Sequence, residues 1–175
     1  MPAAAATRGA TTPMEDPTFV AGLRSIPSGP VSPSERRPAS DLVGFTPAGD
    51  RVELPLRGLH RPLLLCFLHI RCEGCDQFWQ GLADGALSGP AELPDTVSAV
   101  VVTKGPDSVE SAAVARAAAG VTRVPVVMSD KAWADYRVSA YPFFVLVDPD
   151  TVSVVGETVG FGWSDVRSMI GSTDG

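Results

Sequence analysis

Residues 63–79 read LLLCFLHIRCEGCDQFW. The stretch begins with an apolar run long enough for one buried strand, and an amphipathic helical pattern starts directly after two cysteines separated by two residues. Thiols at i and i+3 in the first turn of a helix can close a disulfide with little backbone movement. The unpaired N–H groups and the dipole of that turn also stabilise a thiolate. The pattern therefore indicates reversible thiol–disulfide chemistry at Cys72 and Cys75.

Size and composition narrow the class of protein. The chain has 175 residues, of which 45 % are hydrophobic, so we expect one globular domain with a proper core. A formal net charge of −6 argues against a nucleic-acid binder, which needs a basic face. Three cysteines give one pair and an odd thiol, which makes a poor structural framework.

The sequence contains no recognisable targeting signal. No run reaches the roughly 18 apolar residues that span a bilayer. The N-terminus also lacks a basic start followed by an apolar stretch, so we expect neither a signal peptide nor a transmembrane segment. As the chain stands, we expect a cytoplasmic monomer. The alternative is a membrane-anchored protein outside the cytoplasm whose true start lies upstream.

The chain divides at about residue 40. Residues 1–40 are rich in Ala, Pro, Thr, Ser and Gly and offer too little apolar surface to offset their ordering entropy, so we expect a flexible arm. Residues 41–175 form the predicted domain, which opens with a hairpin over 41–54. The remaining predicted strands cover 63–69, 97–102, 124–128, 143–147 and 152–158. The predicted helices cover 75–87, 107–119, a short segment capped by Ser129 and Asp130, and a terminal segment capped by Ser164 with Val166, Met169 and Ile170 facing inward.

Two details of these helices can be tested. Asp107 and Glu110 form a capping-box pattern at the start of the second predicted helix. Gly81 lies inside the first one, where a glycine costs roughly 1 kcal/mol relative to alanine. The alternation of strands and helices predicts an α/β fold, with a central mixed sheet flanked by helices on both faces.

Two cysteines at this spacing could also be half of a zinc site. Structural zinc takes four ligands, and the chain offers only Cys66, His60 and His69 besides the pair. Cys66 lies inside the first predicted strand of the central sheet. Redox chemistry is therefore favoured over metal binding, and we predict no metal site.

The order of these elements resembles the thioredoxin fold: a strand, the Cys72-Glu73-Gly74-Cys75 motif, a helix, and later Tyr141-Pro142 before a strand. The additional strand and helix before Pro142 resemble the TlpA-like and peroxiredoxin-related (AhpC/TSA-related) branch. Residues 67–79, 101–106, 124–128 and 143–148 resemble actinobacterial thioredoxin-like proteins of the MauD-like type. The similarity spans about residues 41–170.

The resemblance implies roles for four residues. Cys72 would be the exposed nucleophile and Cys75 the resolving thiol. Pro142 would follow a cis peptide bond, turning the backbone of Tyr141 outward to pair with an extended substrate. The implied substrates are protein disulfides or dithiols, together with a redox partner, and no cofactor is implied.

The chain departs from the family at several positions. Cys66 stands where thioredoxins carry a buried acid, Arg71 replaces a tryptophan, and Gly74 replaces a proline. Arg71 should favour a Cys72 thiolate, whereas Glu73 and Asp76 should oppose it. His69 could move a proton near the cysteines, or it could be an ordinary hydrogen-bonded histidine at a strand end.

Three other functions stay open at this point. A thiol peroxidase usually has Pro and Thr or Ser just before its reactive cysteine, where this chain has residues 69–71. A metal-delivery or assembly accessory would bind a soft ion such as Cu(I) through the two thiolates, usually with a distant histidine, and no histidine follows His69. A binding module that keeps the fold without efficient catalysis is the third alternative.

Overall fold

The computed structural model describes residues 28–84 and 93–173 as one mixed sheet with four α-helices. None of these helices is both long and apolar enough to cross a membrane. The elements in chain order are β1 (Ser28–Pro30), a short 3-10 helix (Pro33–Glu35), β2 (Leu42–Phe45), β3 (Arg51–Leu54), β4 (Leu63–Phe67), α1 (Glu73–Ala83), β5 (Ser98–Thr103), α2 (Ser111–Ala117), β6 (Val126–Met128), α3 (Asp130–Asp135), β7 (Phe143–Asp148), β8 (Ser153–Val159) and α4 (Trp163–Thr173).

The sheet has eight strands in the order β1-β8-β7-β4-β5-β6-β2-β3. At its centre, β4 pairs in parallel with β5 and antiparallel with β7. The predicted α/β fold with a central mixed sheet is confirmed. The predicted N-terminal hairpin forms as β2 and β3, with Leu42 opposite Leu54.

Alternating residues of β4 supply two separate cores. Leu64 and Cys66 face one side, where they pack with Phe78 of α1 and with buried residues of α4. Leu63 and Leu65 face the other side, where the core includes Trp133 of α3. The run of five consecutive buried residues in β4 follows from this double coverage, since a strand buried on both faces has no polar side.

Residues 28–40 differ from the flexible arm that the sequence predicts. Ser28 pairs with Thr158, which places β1 on the outer edge of β8. Further along, the Arg37 guanidinium forms a partly buried ion pair with Glu157. Backbone pairing and this ion pair hold a segment whose apolar content alone would not order it. The predicted arm over residues 1–27 lies outside the described residues.

Two predicted helix starts are wrong. Asp107 does not cap α2, because the Gly105 carbonyl accepts the amides of Ser108 and Val109 in a separate turn, and the helix begins at Ser111. Ser164 lies inside α4, which begins at Trp163. The predicted cap at Ser129 is confirmed, since its Oγ accepts the Ala132 amide at 3.0 Å. The first helix ends at Ala83, earlier than the predicted end at residue 87, which itself lies outside the described residues.

The glycine at position 81 of α1 has a packing reason. A Cβ built there would lie 2.5 Å from Nε1 of Trp163, whose indole packs against Phe78 and Phe144. We expect Gly81→Ala to destabilise the protein by about 1–2 kcal/mol, because overpacking outweighs the gain in helix propensity. Denaturant unfolding followed by circular dichroism measures the change.

Gly171 of α4 is the matched control, because a Cβ there meets nothing within 4 Å. Gly171→Ala should leave the free energy of unfolding unchanged or raise it by up to about 1 kcal/mol. If Gly81→Ala stabilised the protein as Gly171→Ala does, the contact with Trp163 would not be the reason for the glycine.

Candidate active site

The topology brings four chain segments to one edge of the sheet. Because β4 and β5 are parallel, both end at this edge. Antiparallel β7 begins there, and β8, antiparallel to β7, ends there. The segments that follow β4, β5 and β8, and the one that precedes β7, therefore meet at what we call the disulfide edge.

Cys72 and Cys75 are joined in a disulfide at this edge, with their Cα atoms 5.1 Å apart. Cys72 is the N-cap residue of α1 and is half-buried, whereas Cys75 lies in the first turn and is fully buried. The backbone amide of His69 lies 3.5 Å from Sγ of Cys75. One sulfur thus borders solvent at a helix N-terminus, and the other lies against the core.

Tyr141 and Pro142 lie directly against the motif. The bond between them is cis, and the Tyr141 carbonyl oxygen is 4.0 Å from Sγ of Cys72. A Cβ built on Gly74 would lie 3.4 Å from Cδ of Pro142 and 4.0 Å from Sγ of Cys72. Both distances are ordinary van der Waals contacts, so the motif and the segment before β7 pack directly against each other.

His69 contacts both the loop before the cysteine motif and the Tyr141 side chain. Its Nδ1 accepts the Arg71 amide at 3.0 Å, and its ring stacks on Tyr141 with centroids 5.1 Å apart. Burial lowers the pKa of His69, with further contributions from Lys104 and Arg71. The neutral ring is favoured, and because Nδ1 accepts a hydrogen bond, its proton lies on Nε2.

The charged side chains beside the motif are exposed. Arg71 precedes Cys72, and Glu73 and Asp76 lie in the first turn of α1. None of the three forms an ion pair within residues 28–84 and 93–173. Their effect on a Cys72 thiolate would be exerted through solvent, which weakens it.

Cys66 occupies the buried position six residues before Cys72. It is fully buried on the side of β4 that faces α1. Burial raises the pKa of the Cys66 thiol, because a thiolate there would lose its solvation. Cys66 therefore stays protonated and packs as a small apolar residue.

Sequence reasoning missed two groups at this edge. Lys104 follows β5, and its Nζ lies 4.8 Å from the ring centre of Trp133, which itself contacts Tyr141. Phe161 follows β8 and is 81 % exposed. Its carbonyl accepts a hydrogen bond from the Gln77 side chain at 2.9 Å. Parallel pairing of β4 with β5 could have predicted that Lys104 lies near the cysteine motif. For Phe161, the available signal was an aromatic residue between two glycines directly after the last strand.

The described residues offer no ready metal centre. Within residues 28–84 and 93–173, no group of three or more His, Cys, Asp or Glu side chains is arranged to hold a metal ion.

Solved structures with the same architecture include a secreted disulfide oxidoreductase of Mycobacterium tuberculosis homologous to Escherichia coli DsbE. It is 19 % identical over 74 % of this chain and 94 % of its own, with a TM-score of 0.54. A DsbF homologue from Corynebacterium diphtheriae is 17 % identical over 81 % and 90 % of the two chains, with a TM-score of 0.60. A thiol:disulfide interchange protein of the thioredoxin family from Chlorobium tepidum is 15 % identical over 87 % and 100 %, with a TM-score of 0.56.

The chain has the thioredoxin-like fold. The fold expected from the resemblance is thus confirmed, and the narrower likeness to MauD-like proteins stays a prediction. No protein-family model matches the sequence, and no curated protein matches it significantly. At identities below 20 %, the similarity to these thioredoxin-like structures concerns the fold.

The burial of the three thiols predicts the order in which they react. After reduction of this thioredoxin-like domain, we expect iodoacetamide to modify Cys72 first, because Cys75 and Cys66 are fully buried. Timed quenching and peptide mass spectrometry measure the order. Simultaneous modification of Cys72 and Cys75 in the folded protein would contradict the assignment of one accessible sulfur.

The lowered pKa of His69 predicts a pH dependence of stability. Below its ordinary pKa of about 6.5, the unfolded state binds a proton that the folded state resists. The free energy of unfolding should therefore fall as the pH drops below about 6.5. His69→Gln should lose part of this slope in denaturant titrations between pH 7 and 5.

His60→Gln is the control for this measurement, since His60 is the only other histidine and is exposed. A slope that is the same in His69→Gln and in the unmodified protein would show that His69 does not resist protonation.

Proposed function

We propose that this chain is a thiol–disulfide oxidoreductase that acts on protein disulfides, with Cys72 as nucleophile and Cys75 as resolving thiol. The observation that carries the proposal is the asymmetry of the pair: a half-exposed sulfur at a helix N-terminus is bonded to a buried one, opposite the Tyr141 carbonyl. The solved structures described as a disulfide oxidoreductase and a thiol:disulfide interchange protein support it through their shared fold.

The reaction proceeds in two balanced exchanges. The Cys72 thiolate attacks one sulfur of a substrate disulfide, so that a mixed disulfide forms and the other substrate sulfur leaves as a thiolate. Cys75 loses its proton and attacks Sγ of Cys72, which releases the second substrate thiolate. Two electrons pass to the substrate, the protons end on its thiols, and the protein reaches the oxidised form seen here. The same steps in reverse oxidise a dithiol.

The backbone around Cys72 suits both steps. As N-cap of α1, Cys72 lies where free amides and the helix dipole favour negative sulfur. Within the described residues, neither the amide nor the carbonyl of Tyr141 has a backbone hydrogen-bond partner. An extended substrate segment can pair with these groups as an added strand would.

Four neighbouring residues would tune this chemistry. Gly74 lies against Pro142, and Arg71 favours the thiolate of Cys72, whereas Glu73 opposes it. His69 holds the loop before the motif through its Nδ1 and steadies Tyr141 by stacking.

Cysteine variants test the proposal directly. Cys72→Ser should abolish reduction of insulin disulfides by a dithiol donor, because no nucleophile remains. Cys75→Ser should accumulate a mixed disulfide through Cys72, because the resolving attack is lost. Non-reducing electrophoresis and mass spectrometry identify the adduct.

Cys66→Ala is the matched control, since its buried, protonated thiol takes no part in the exchange. This variant should keep turnover, although a core cavity lowers its stability. Undiminished turnover by Cys72→Ser would reject the proposal. Turnover with hydrogen peroxide but with no protein disulfide would assign the pair to a thiol peroxidase instead.

A further inference from the structure

One side of the disulfide edge carries an aromatic and cationic surface, the Tyr141 face, which consists of Tyr141, His69, Trp133, Lys104 and Arg71. The Tyr141 side chain is 44 % exposed, yet two rings hold it. His69 stacks on it with an interplanar angle of 19°, and buried Trp133 meets it edge-on at 5.7 Å. The ring is thus fixed in place while nearly half of it faces solvent.

The two charged side chains of this face, Lys104 and Arg71, are both cations. Lys104 lies over the Trp133 ring, and Arg71 directly precedes Cys72. Neither forms an ion pair in the part of the chain that the structure describes.

Both cations of this face lie close enough to His69 to act on its pKa. After burial, the influences that lower its pKa are Lys104 and Arg71. The neutral ring also presents its Nε2–H as a further donor, because Nδ1 already accepts the Arg71 amide.

The position of this face relative to the reacting sulfur suggests what it binds. The Tyr141 carbonyl is 4.0 Å from Sγ of Cys72, so a substrate sulfur at Cys72 brings its neighbouring residues alongside the Tyr141 face. Resting on the proposed function, we propose that this face selects protein disulfides in which an Asp or Glu side chain flanks the reacting cysteine. A carboxylate there meets two cations and a hydrogen-bond donor, whereas a lysine meets repulsion.

Peptide disulfides of matched sequence test the selectivity. Three peptides, each with one cysteine flanked on both sides by Asp, Asn or Lys, are oxidised to symmetric disulfides and mixed with the reduced full chain. The second-order rate constant is measured by acid quenching and chromatography. At low salt we expect the Asp peptide to react roughly two- to fivefold faster than the Asn peptide, and the Lys peptide to react more slowly. High salt should reduce both differences.

Variants of the two lysines separate charge from structure. Lys104→Gln should bring the Asp-to-Asn ratio towards one, Lys104→Arg should preserve it, and Lys104→Glu should invert the preference in favour of the Lys peptide. A merely structural role over Trp133 would not produce this inversion. Lys131→Gln is the matched control and should keep the original ratio, since Lys131 is paired with Asp135 on α3.

The outcomes that contradict the selectivity differ from those that contradict the function. Equal rate constants for the three peptides, or a ratio insensitive to both Lys104→Gln and Lys104→Glu, would overturn the selectivity and leave the oxidoreductase intact. Failure to reduce any peptide or insulin would overturn the proposed function, and the selectivity with it.

Discussion

The pairing of β4 with β5 on one side and β7 on the other is the constraint on which the site depends. Parallel pairing fixes the end of β4 beside the end of β5, and antiparallel pairing fixes it beside the start of β7. Cys72, Lys104 and Tyr141 meet for this reason, although they are far apart in sequence. Cys66 lies opposite Val101 of β5 and opposite Phe144 of β7, and this register fixes where the three strands end relative to one another. A slip of one residue would therefore move Cys72, Lys104 and Tyr141 apart.

The buried sulfur of Cys75 lies in an environment built from main chain and apolar side chains. The His69 amide lies 3.5 Å from this sulfur, and Cys66, six positions before Cys72, stays protonated and therefore uncharged. The ionisable groups lie on the other side, around Cys72 and Tyr141. We therefore expect the charged groups of this chain to act on Cys72 more than on Cys75.

Local patterns predicted most of the fold, and tertiary pairing accounts for what they missed. Short-range sequence patterns correctly predicted the buried strand β4, the pairing of Cys72 with Cys75 and the helix cap at Ser129. Residues 28–40 were misjudged, because their order comes from β8 and from Glu157, over a hundred positions away. Asp107 was misjudged because residues 105–109 form a separate turn closed on the Gly105 carbonyl, and the helix starts only at Ser111.

Some residues of the candidate site could likewise be predicted from local sequence, whereas others are brought there only by tertiary structure. Cys72 and Cys75 are visible in sequence because their chemistry depends on their own spacing. Lys104 and Trp133 could not be recognised without the strand order, since each is an ordinary residue until β5 and α3 lie beside β7. Trp133, which meets Tyr141 edge-on, also packs against Phe67 in the core that includes Leu63 and Leu65, with ring centroids 5.7 Å apart. The packing of that core and the shape of the site are therefore linked.

The short strand β1 has a consequence for the behaviour of the molecule in concentrated solution. An uncovered β8 would offer a long row of free amides and carbonyls to a neighbouring molecule. Ser28–Pro30 occupies that row with only three residues, and Pro30 itself has no amide hydrogen to offer outward. At the opposite margin, β3 carries the charged side chains of Arg51 and Glu53. Both margins of the sheet thereby discourage the strand-to-strand association that leads to aggregation.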